Sequence, residues 1–316
     1  MNAPEVSIVV PLYNESTVFP LLVERLNAVM DQADFVIEVV LVDDGSHDST
    51  PLQMADLSTT DPRYQSVFLS RNYGHQLALS AGLQGASATE AIMIIDGDLQ
   101  DPPELLFELY AKFQEGFDVV YAVRRKRKEG RLKKIAYTAF YRLQKRMVNI
   151  DVPLDSGDFS LISRRVTNLL NTMGEESRYI RGMRSWVGFT QVGIEYERDA
   201  RAAGETKYSL KALLSLAYNG IFNFSELPIK FITNLGIFTL LLVIPYAIYT
   251  LIMRFVFDTV DEGFTGILLV VTLFSAAQLI SLGVIGEYVL RILFQVKGRP
   301  LFVVKKRIKN RNVSDG

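Results

Sequence analysis

Cysteine is absent from the 316 residues, and histidine occurs only as His47 and His75. No disulfide, thiolate nucleophile or cysteine–zinc site is therefore available, and two histidines do not build a multi-histidine metal centre. An excess of either charge is also missing: 34 Lys and Arg stand against 35 Asp and Glu, for a formal net charge of -1. Such a balance argues against nucleic acid as the main partner. The N-terminus shows no basic-then-apolar leader, so no signal peptide is expected. With 49% hydrophobic and 22% charged residues, the composition excludes a disordered chain, a collagen-like chain and a small disulfide scaffold. Internal repeats and low-complexity linkers are absent.

Two long uncharged runs are present. Phe231–Met253 and Phe264–Gly286 contain no Asp, Glu, Lys or Arg. Each holds about 23 residues, enough for a helix to cross a hydrocarbon core of ~30 Å. Buried core helices are the alternative, but soluble core helices rarely stay uncharged that long. Just before the first run, Ser209–Glu226 carries Leu210, Leu213, Leu214, Ala217, Ile221 and Phe222 at helical spacing. An amphipathic helix along a membrane surface is expected, with an ordinary packed helix as the alternative. Basic residues lie outside the pair of runs: Lys207, Lys211 and Lys230 before it, and seven Lys or Arg in Lys297–Arg311 after it. The positive-inside rule then puts both termini in the cytoplasm and the short hairpin outside.

The N-terminal two-thirds alternates strand-like and helix-like segments. Val6–Pro11, Phe35–Val42, Ser66–Leu69, Ala91–Ile95 and Asp118–Ala122 read as strands. Thr17–Ala33 reads as a helix with Leu21, Leu22, Leu26 and Val29 on one side; a helix capped by Ser46 or Ser49 follows the second strand. Gln76–Ala86 and Pro102–Glu115 complete the set, the last with proline near its start. This rhythm predicts an α/β fold with a mostly parallel sheet covered by helices. Ligands in such sheets bind beyond the carboxyl ends of the strands. Arg124–Lys134 breaks the rhythm with eight positive charges and one negative, and a second sheet-like region is expected over Asp151–Glu197. The expected division is 1–208 as a cytoplasmic catalytic domain, 209–230 as an interfacial segment, 231–292 as a transmembrane hairpin and 293–316 as a basic tail.

Asp96-Gly97-Asp98-Leu99-Gln100-Asp101 follows the apolar strand. Two carboxylates separated by one residue can reach a single hard divalent cation and leave positions for phosphate oxygens, with Gln100 as a third oxygen ligand. A solvated acidic loop is the alternative. Pro11-Leu12-Tyr13-Asn14-Glu15 and Asp43-Asp44-Gly45-Ser46 end the first two strands. An aromatic ring and carboxylates there suit a nucleoside, but Asn and Asp-Gly equally suit turns.

PLYNE (11–15), VDDGS (42–46), LSRNYG (69–74), DGDLQDPPE (96–104), SGDFSLISRR (156–165) and RAAGETKY (201–208) occur in the order found in glycosyltransferase family 2. RGMRSWVG (181–188) and QLISLGVIGEY (278–288) resemble its polyprenyl-phosphate branch, the bactoprenol glucosyltransferases and dolichol-phosphate mannose synthases. The resemblance implies a GT-A, Rossmann-like fold, a nucleotide-sugar donor and Mg²⁺ or Mn²⁺. It places Pro11, Tyr13, Glu15, Asp43 and Asp44 at the nucleoside. Asp96, Asp98 and Gln100 fall at the metal and pyrophosphate, and Arg124 at phosphate. It makes Asp158 the active-site aspartate, with Asp155 as the neighbouring alternative. His75 stands where many relatives carry lysine. Arg201 and Lys207, just before the amphipathic segment, are placed to hold the lipid phosphate. A homo-oligomer, such as a tetramer, is also implied.

The expected activity is inverting transfer of a hexose, glucose first, from a UDP-sugar to undecaprenyl phosphate at the cytoplasmic membrane face. Mannose from GDP-mannose, or a modified pentose, is the alternative donor group. A processive synthase is disfavoured because no glutamine lies three residues before Arg184 of Arg184-Ser185-Trp186. A non-catalytic binding or channel-like membrane protein is disfavoured because the two runs hold no Asp, Glu, Lys, Arg or His to mark a conduction path.

Overall fold

The computed structural model describes residues 3–124, 156–176, 178–197, a number of positions between 231 and 256, and 263–315. The basic run 125–134, the segment 209–230, Asp155, Arg201 and Lys207 lie outside the described residues. Two compact units emerge: Met1–Lys145 with Ile150–Ser209 and Pro300–Gly316, and Arg146–Asn149 with Leu210–Arg299.

The first unit is built on β1 (Val6–Leu12), β2 (Ile37–Asp43), β3 (Tyr64–Leu69) and β4 (Ala91–Ile94), joined by α1 (Phe19–Gln32), α2 (Thr50–Thr60) and α3 (His75–Gly85). Strands β1, β3 and β4 are buried at every position. That is why β1 and β4 read as largely apolar runs rather than as alternating ones. One core cluster gathers Ile8, Val10, Leu41, Met93 and Leu161 with helix residues such as Leu22 and Leu26. Each such side chain contributes about 1.5–3 kcal/mol by leaving water.

Pro20 sits in the first turn of α1, and Phe19, Leu22, Leu26, Val29 and Met30 form its buried stripe. Leu21 does not join them and is 44% exposed. It is displaced from Leu22 by about 100° of helical rotation. On α3, a Cβ added at Gly82 would lie 2.2 Å from Val9 Cγ1, so the absence of a side chain there lets the helix rest on β1. The helix expected after Pro102 begins as a 3₁₀ turn, Pro103–Leu105, and continues as α4 (Leu106–Gln114).

The remaining strands are β5 (Val119–Arg124), β6 (Ser156–Ser163), β7 (Gln191–Tyr196), β8 (Val304–Lys309) and β9 (Asn312–Asp315). Helices α5 (Arg164–Thr172) and α6 (Ile180–Trp186) lie between β6 and β7. All nine strands form one sheet in the order β7-β5-β6-β4-β1-β2-β3-β8-β9. The sheet-like region expected over Asp151–Glu197 contributes two of these strands: β6 inserts antiparallel between β4 and β5, and β7 joins β5 in parallel. The centre β3-β2-β1-β4 is parallel. With antiparallel pairing at β6, β8 and β9, the sheet is mixed. The segment read as a basic tail supplies β8, which pairs with β3 and buries Ile308 in the core, and β9 beyond it.

In the second unit, α7 (Phe264–Val296) runs ten residues past the second uncharged stretch. Glu287 and Arg291 extend it as an i,i+4 ion pair at 2.8 Å. Its portion Leu273–Val296 is the one helix among the described residues long and apolar enough to cross a membrane. Leu273, Leu279, Leu282, Ile285 and Val289 on it are all more than half exposed. Described positions of 231–252 are helical.

Candidate active site

The carboxyl ends of the parallel strands converge where the chain order reverses between β1 and β4, the place where open α/β sheets leave a crevice. On one side of it, the segments after β1 and β2 are stapled together. Asn14, at φ 53°, accepts from the His47 amide at 2.8 Å, and its own amide donates to Ser46 Oγ at 2.9 Å. The Glu15 amide donates to Thr50 Oγ1, and the Ser16 amide donates to Asp48 Oδ2. Asp43 accepts from the Ser46 amide at 3.1 Å. Asp44 holds a third segment, accepting from the Tyr73 amide at 2.7 Å with one oxygen and from the Gly74 amide at 2.9 Å with the other. Gly45 allows this approach: at φ +70°, its added Cβ would meet the Arg71 carbonyl carbon at 2.5 Å. Burial raises both the Asp43 and Asp44 carboxyls, and their hydrogen bonds oppose it. Turn chemistry is thus realised at Asn14, Asp43 and Asp44. Pro11 is buried within β1, and Tyr13 and Glu15 are half-buried at its end.

On the other side stands the acidic loop after β4. Leu99, at φ 56° and 2% exposed, anchors the loop in the core. Asp98 Oδ1 accepts from the Gln100 amide at 3.1 Å. Asp101 is buried and accepts from the Tyr196 hydroxyl of β7, which in turn accepts from Arg124 Nε at 3.4 Å. This chain carries Arg124 from β5 to the acidic loop. Asp96 has its carboxyl pushed up to about 6, first by burial, then by Asp101, Asp158 and Asp98, with His75 opposing. Among the described residues no group of three or more Asp, Glu, His or Cys is placed to hold a metal. Asp96 and Asp98, with Gln100, fit the other mode: a hard cation bound by one or two carboxylates that shares its remaining positions with phosphate and water.

The two halves meet through β6. Its antiparallel register pairs Ile94 with Ser160, so two residues further on Asp158 comes opposite Asp96. His75, the first residue of α3, lies between them, with Nε2 at 3.5 Å from Asp96 Oδ1 and 3.6 Å from Asp158 Oδ2. Burial alone would lower the imidazole pKa, but Asp158, Asp96 and Asp44 raise it to about 9. Its two carboxylate neighbours thus favour the protonated imidazole at this position. Burial also opposes the Asp158 charge, yet His75, Arg181 and Gln76 hold that carboxyl well below the ordinary range. Asp158 Oδ2 accepts from Gln76 Nε2 at 2.8 Å, and Gln76 Oε1 accepts from the Ile180 amide at 2.8 Å.

Gln76, Tyr196 and Arg184 escaped the sequence reading. Arg184 is fully buried with no hydrogen-bond partner for its guanidinium among the described residues, and lies 5.5 Å from the Tyr121 ring centroid. Burial lowers its pKa to about 10, with Asp158 opposing. Its position four residues after Ile180, on the buried side of a short helix, was the available clue.

The family model for glycosyl transferase family 2 matches residues 7–170, from β1 through most of α5. The uncharacterized glycosyltransferase YkcC of Bacillus subtilis (strain 168) is 44% identical over 301 residues, covering 95% of this chain and 93% of that one. The SfII prophage-derived bactoprenol glucosyl transferase of Shigella flexneri is 35% identical over 303 residues, covering 96% and 98%. A prophage bactoprenol glucosyl transferase homolog of Escherichia coli (strain K12) is 33% identical, covering 96% and 99%.

Proposed function

The chain belongs to glycosyltransferase family 2, and from that membership we propose that it transfers glucose from UDP-glucose to undecaprenyl phosphate, with inversion at the anomeric carbon. The observation that carries this reading is similarity over nearly the whole chain to proteins named bactoprenol glucosyl transferases, the apolar C-terminal part included. The strand-end geometry supports the transfer chemistry: β6 sets Asp158 beside the acidic loop that would receive the donor diphosphate.

In this reading Tyr13, Glu15, Asp43 and Asp44, with the backbone at Pro11, form the nucleoside side of the crevice. Asp96, Asp98 and Gln100 hold Mg²⁺ or Mn²⁺, which when bound neutralises the leaving diphosphate. Arg124, anchored through Tyr196 and Asp101, adds positive charge on the phosphate side. An oxygen of the lipid phosphate bonds to the anomeric carbon as the bond to the donor diphosphate breaks, releasing a nucleoside diphosphate. A phosphomonoester has a second pKa of about 6, so the acceptor is already anionic near neutrality. Asp158 therefore orients the acceptor phosphate or a sugar hydroxyl rather than removing a tightly held proton. Arg201 and Lys207 pair with the acceptor phosphate.

The membrane part of the proposal rests on α7. Its 33 residues span about 50 Å at 1.5 Å each, and its exposed aliphatic side chains suit lipid better than water. The run 231–253 forms the other half of a hairpin, with 209–230 on the surface and both termini cytoplasmic. A panel of radiolabelled UDP- and GDP-sugars, each offered with undecaprenyl phosphate to the full chain in detergent, tests the whole reaction. Solvent-extractable label from UDP-glucose is expected. Label from GDP-mannose alone would transfer the proposal to mannose, and no labelled lipid from any donor would overturn it.

A further inference from the structure

We propose that Gln76 is a positioning residue of the transfer, fixing the Asp158 carboxylate and the start of α6 to one another through its single amide group. The inference rests on the reading of Asp158 as the active-site carboxylate. Three separate parts of the chain meet at this side chain: α3, which carries it, β6 and α6. Nε2 donates to Asp158 Oδ2 at 2.8 Å, and Oε1 accepts from the Ile180 amide at 2.8 Å. The partners settle which end of the amide faces which. A backbone N–H only donates and an ionised carboxylate only accepts, so the reverse orientation satisfies neither contact.

This arrangement divides the labour within the carboxylate. Oδ2 is tied down by Gln76, and His75 stands at ion-pair rather than hydrogen-bond distance from it. Oδ1 is buried without a hydrogen-bond partner among the described residues. A buried acceptor left this way is costly, so Oδ1 is the oxygen available to a hydroxyl or phosphate group of the reacting pair. Gln76 thereby fixes which oxygen faces the chemistry and from what angle. No other side chain of similar size fills the place. Glutamate keeps the contact to Ile180 but sets two carboxylates against each other, and methionine keeps the length but loses both bonds.

The test uses Gln76→Glu, Gln76→Met, Asp158→Asn and the double variant Gln76→Glu/Asp158→Asn in the full-length protein, assayed with UDP-glucose and undecaprenyl phosphate. Gln76→Glu and Gln76→Met are expected to lower kcat by about 100-fold, the scale set by misplacing a catalytic group by about 1 Å, with KM for UDP-glucose unchanged. The double variant can form the same contact with donor and acceptor exchanged. It should recover the melting temperature lost in Gln76→Glu without recovering turnover. Wild-type kcat in both Gln76 variants, with Asp158→Asn inactive, would overturn the Gln76 inference and leave the Asp158 reading standing. Turnover restored in the double variant would instead show that Asp158 is not catalytic. A loss confined to KM for UDP-glucose would also overturn the inference. If Gln76→Glu fails to fold, the kcat of Gln76→Met decides.

Discussion

Two acidic strand ends face each other across the crevice, and they solve the same electrostatic problem differently. After β2, the carboxylates of Asp43 and Asp44 are 4% exposed, and they are met by backbone amides of Ser46, Tyr73 and Gly74. After β4, Asp96 is crowded by Asp98, Asp101 and Asp158, and its countercharge is the side chain of His75. The first cluster is met by hydrogen bonds within the fold, which hold the nucleoside side of the crevice in shape. In the second, Asp96 is surrounded by further carboxylates rather than by backbone amides, an arrangement that favours a cation and a polar ligand. A motif of acidic residues at a strand end therefore does not define its own role; the donors that surround it do.

The largest effect expected from this contrast is on the β4 side. Asp96→Asn with Asp98→Asn should lower formation of labelled lipid-linked sugar by about a thousandfold or more, while the melting temperature stays near that of the wild type. Retained turnover would remove the distinction between the two clusters. Asp158→Asn comes next, with kcat lower by about 10²–10⁴-fold and the donor affinity measured by calorimetry unchanged. Loss of donor binding in this variant would move Asp158 from the acceptor side to the donor side.

The sequence made the two clusters visible and left their difference hidden. Strands β1, β2 and β4 were legible because uninterrupted runs such as Val39-Val40-Leu41-Val42 and Ile92-Met93-Ile94 are what strands buried on both faces require. Their acidic ends followed directly. What put Asp158 opposite Asp96 is the antiparallel insertion of β6 between β4 and β5. No local pattern encodes that pairing, and family resemblance supplied the residue without the geometry. His75 was noticed only as a departure from lysine, whereas in the fold its position between two carboxylates favours the protonated imidazole. The recruitment of β8 was masked by composition: Lys305, Lys306, Arg307 and Lys309 read as solvated charge, and only Val304 and Ile308 mark an inward face. Arg184 was hidden for the opposite reason, since an arginine on the buried side of a helix contradicts the usual partition.

On the β2 side the expected losses are of stability. Asp44→Ala removes the acceptor of two amide hydrogen bonds at a buried site, and bonds to a charged group are worth about 1.5–3 kcal/mol each. Chemical denaturation should therefore show a loss of about 3–6 kcal/mol. A variant as stable as the wild type but unable to bind donor would show that this cluster, too, is primarily a ligand site.

The smallest expected effect separates architecture from chemistry by pH. Asp48 is exposed, and it accepts from the Thr50 and Ser16 amides. Desolvation opposes its charge, but the bonds from Thr50 and Ser16 win and lower its pKa to about 2. Because the folded value lies below the unfolded one of about 3.9, its stabilisation is complete above that unfolded value. It is lost as pH falls from about 4 to about 2. The melting temperature of Asp48→Asn should lie below the wild type at pH 6, with the gap closing toward pH 2. A gap that stays constant with pH would mean that the Asp48 charge plays no part in joining the segments after β1 and β2, and that the hydrogen-bond geometry alone holds them.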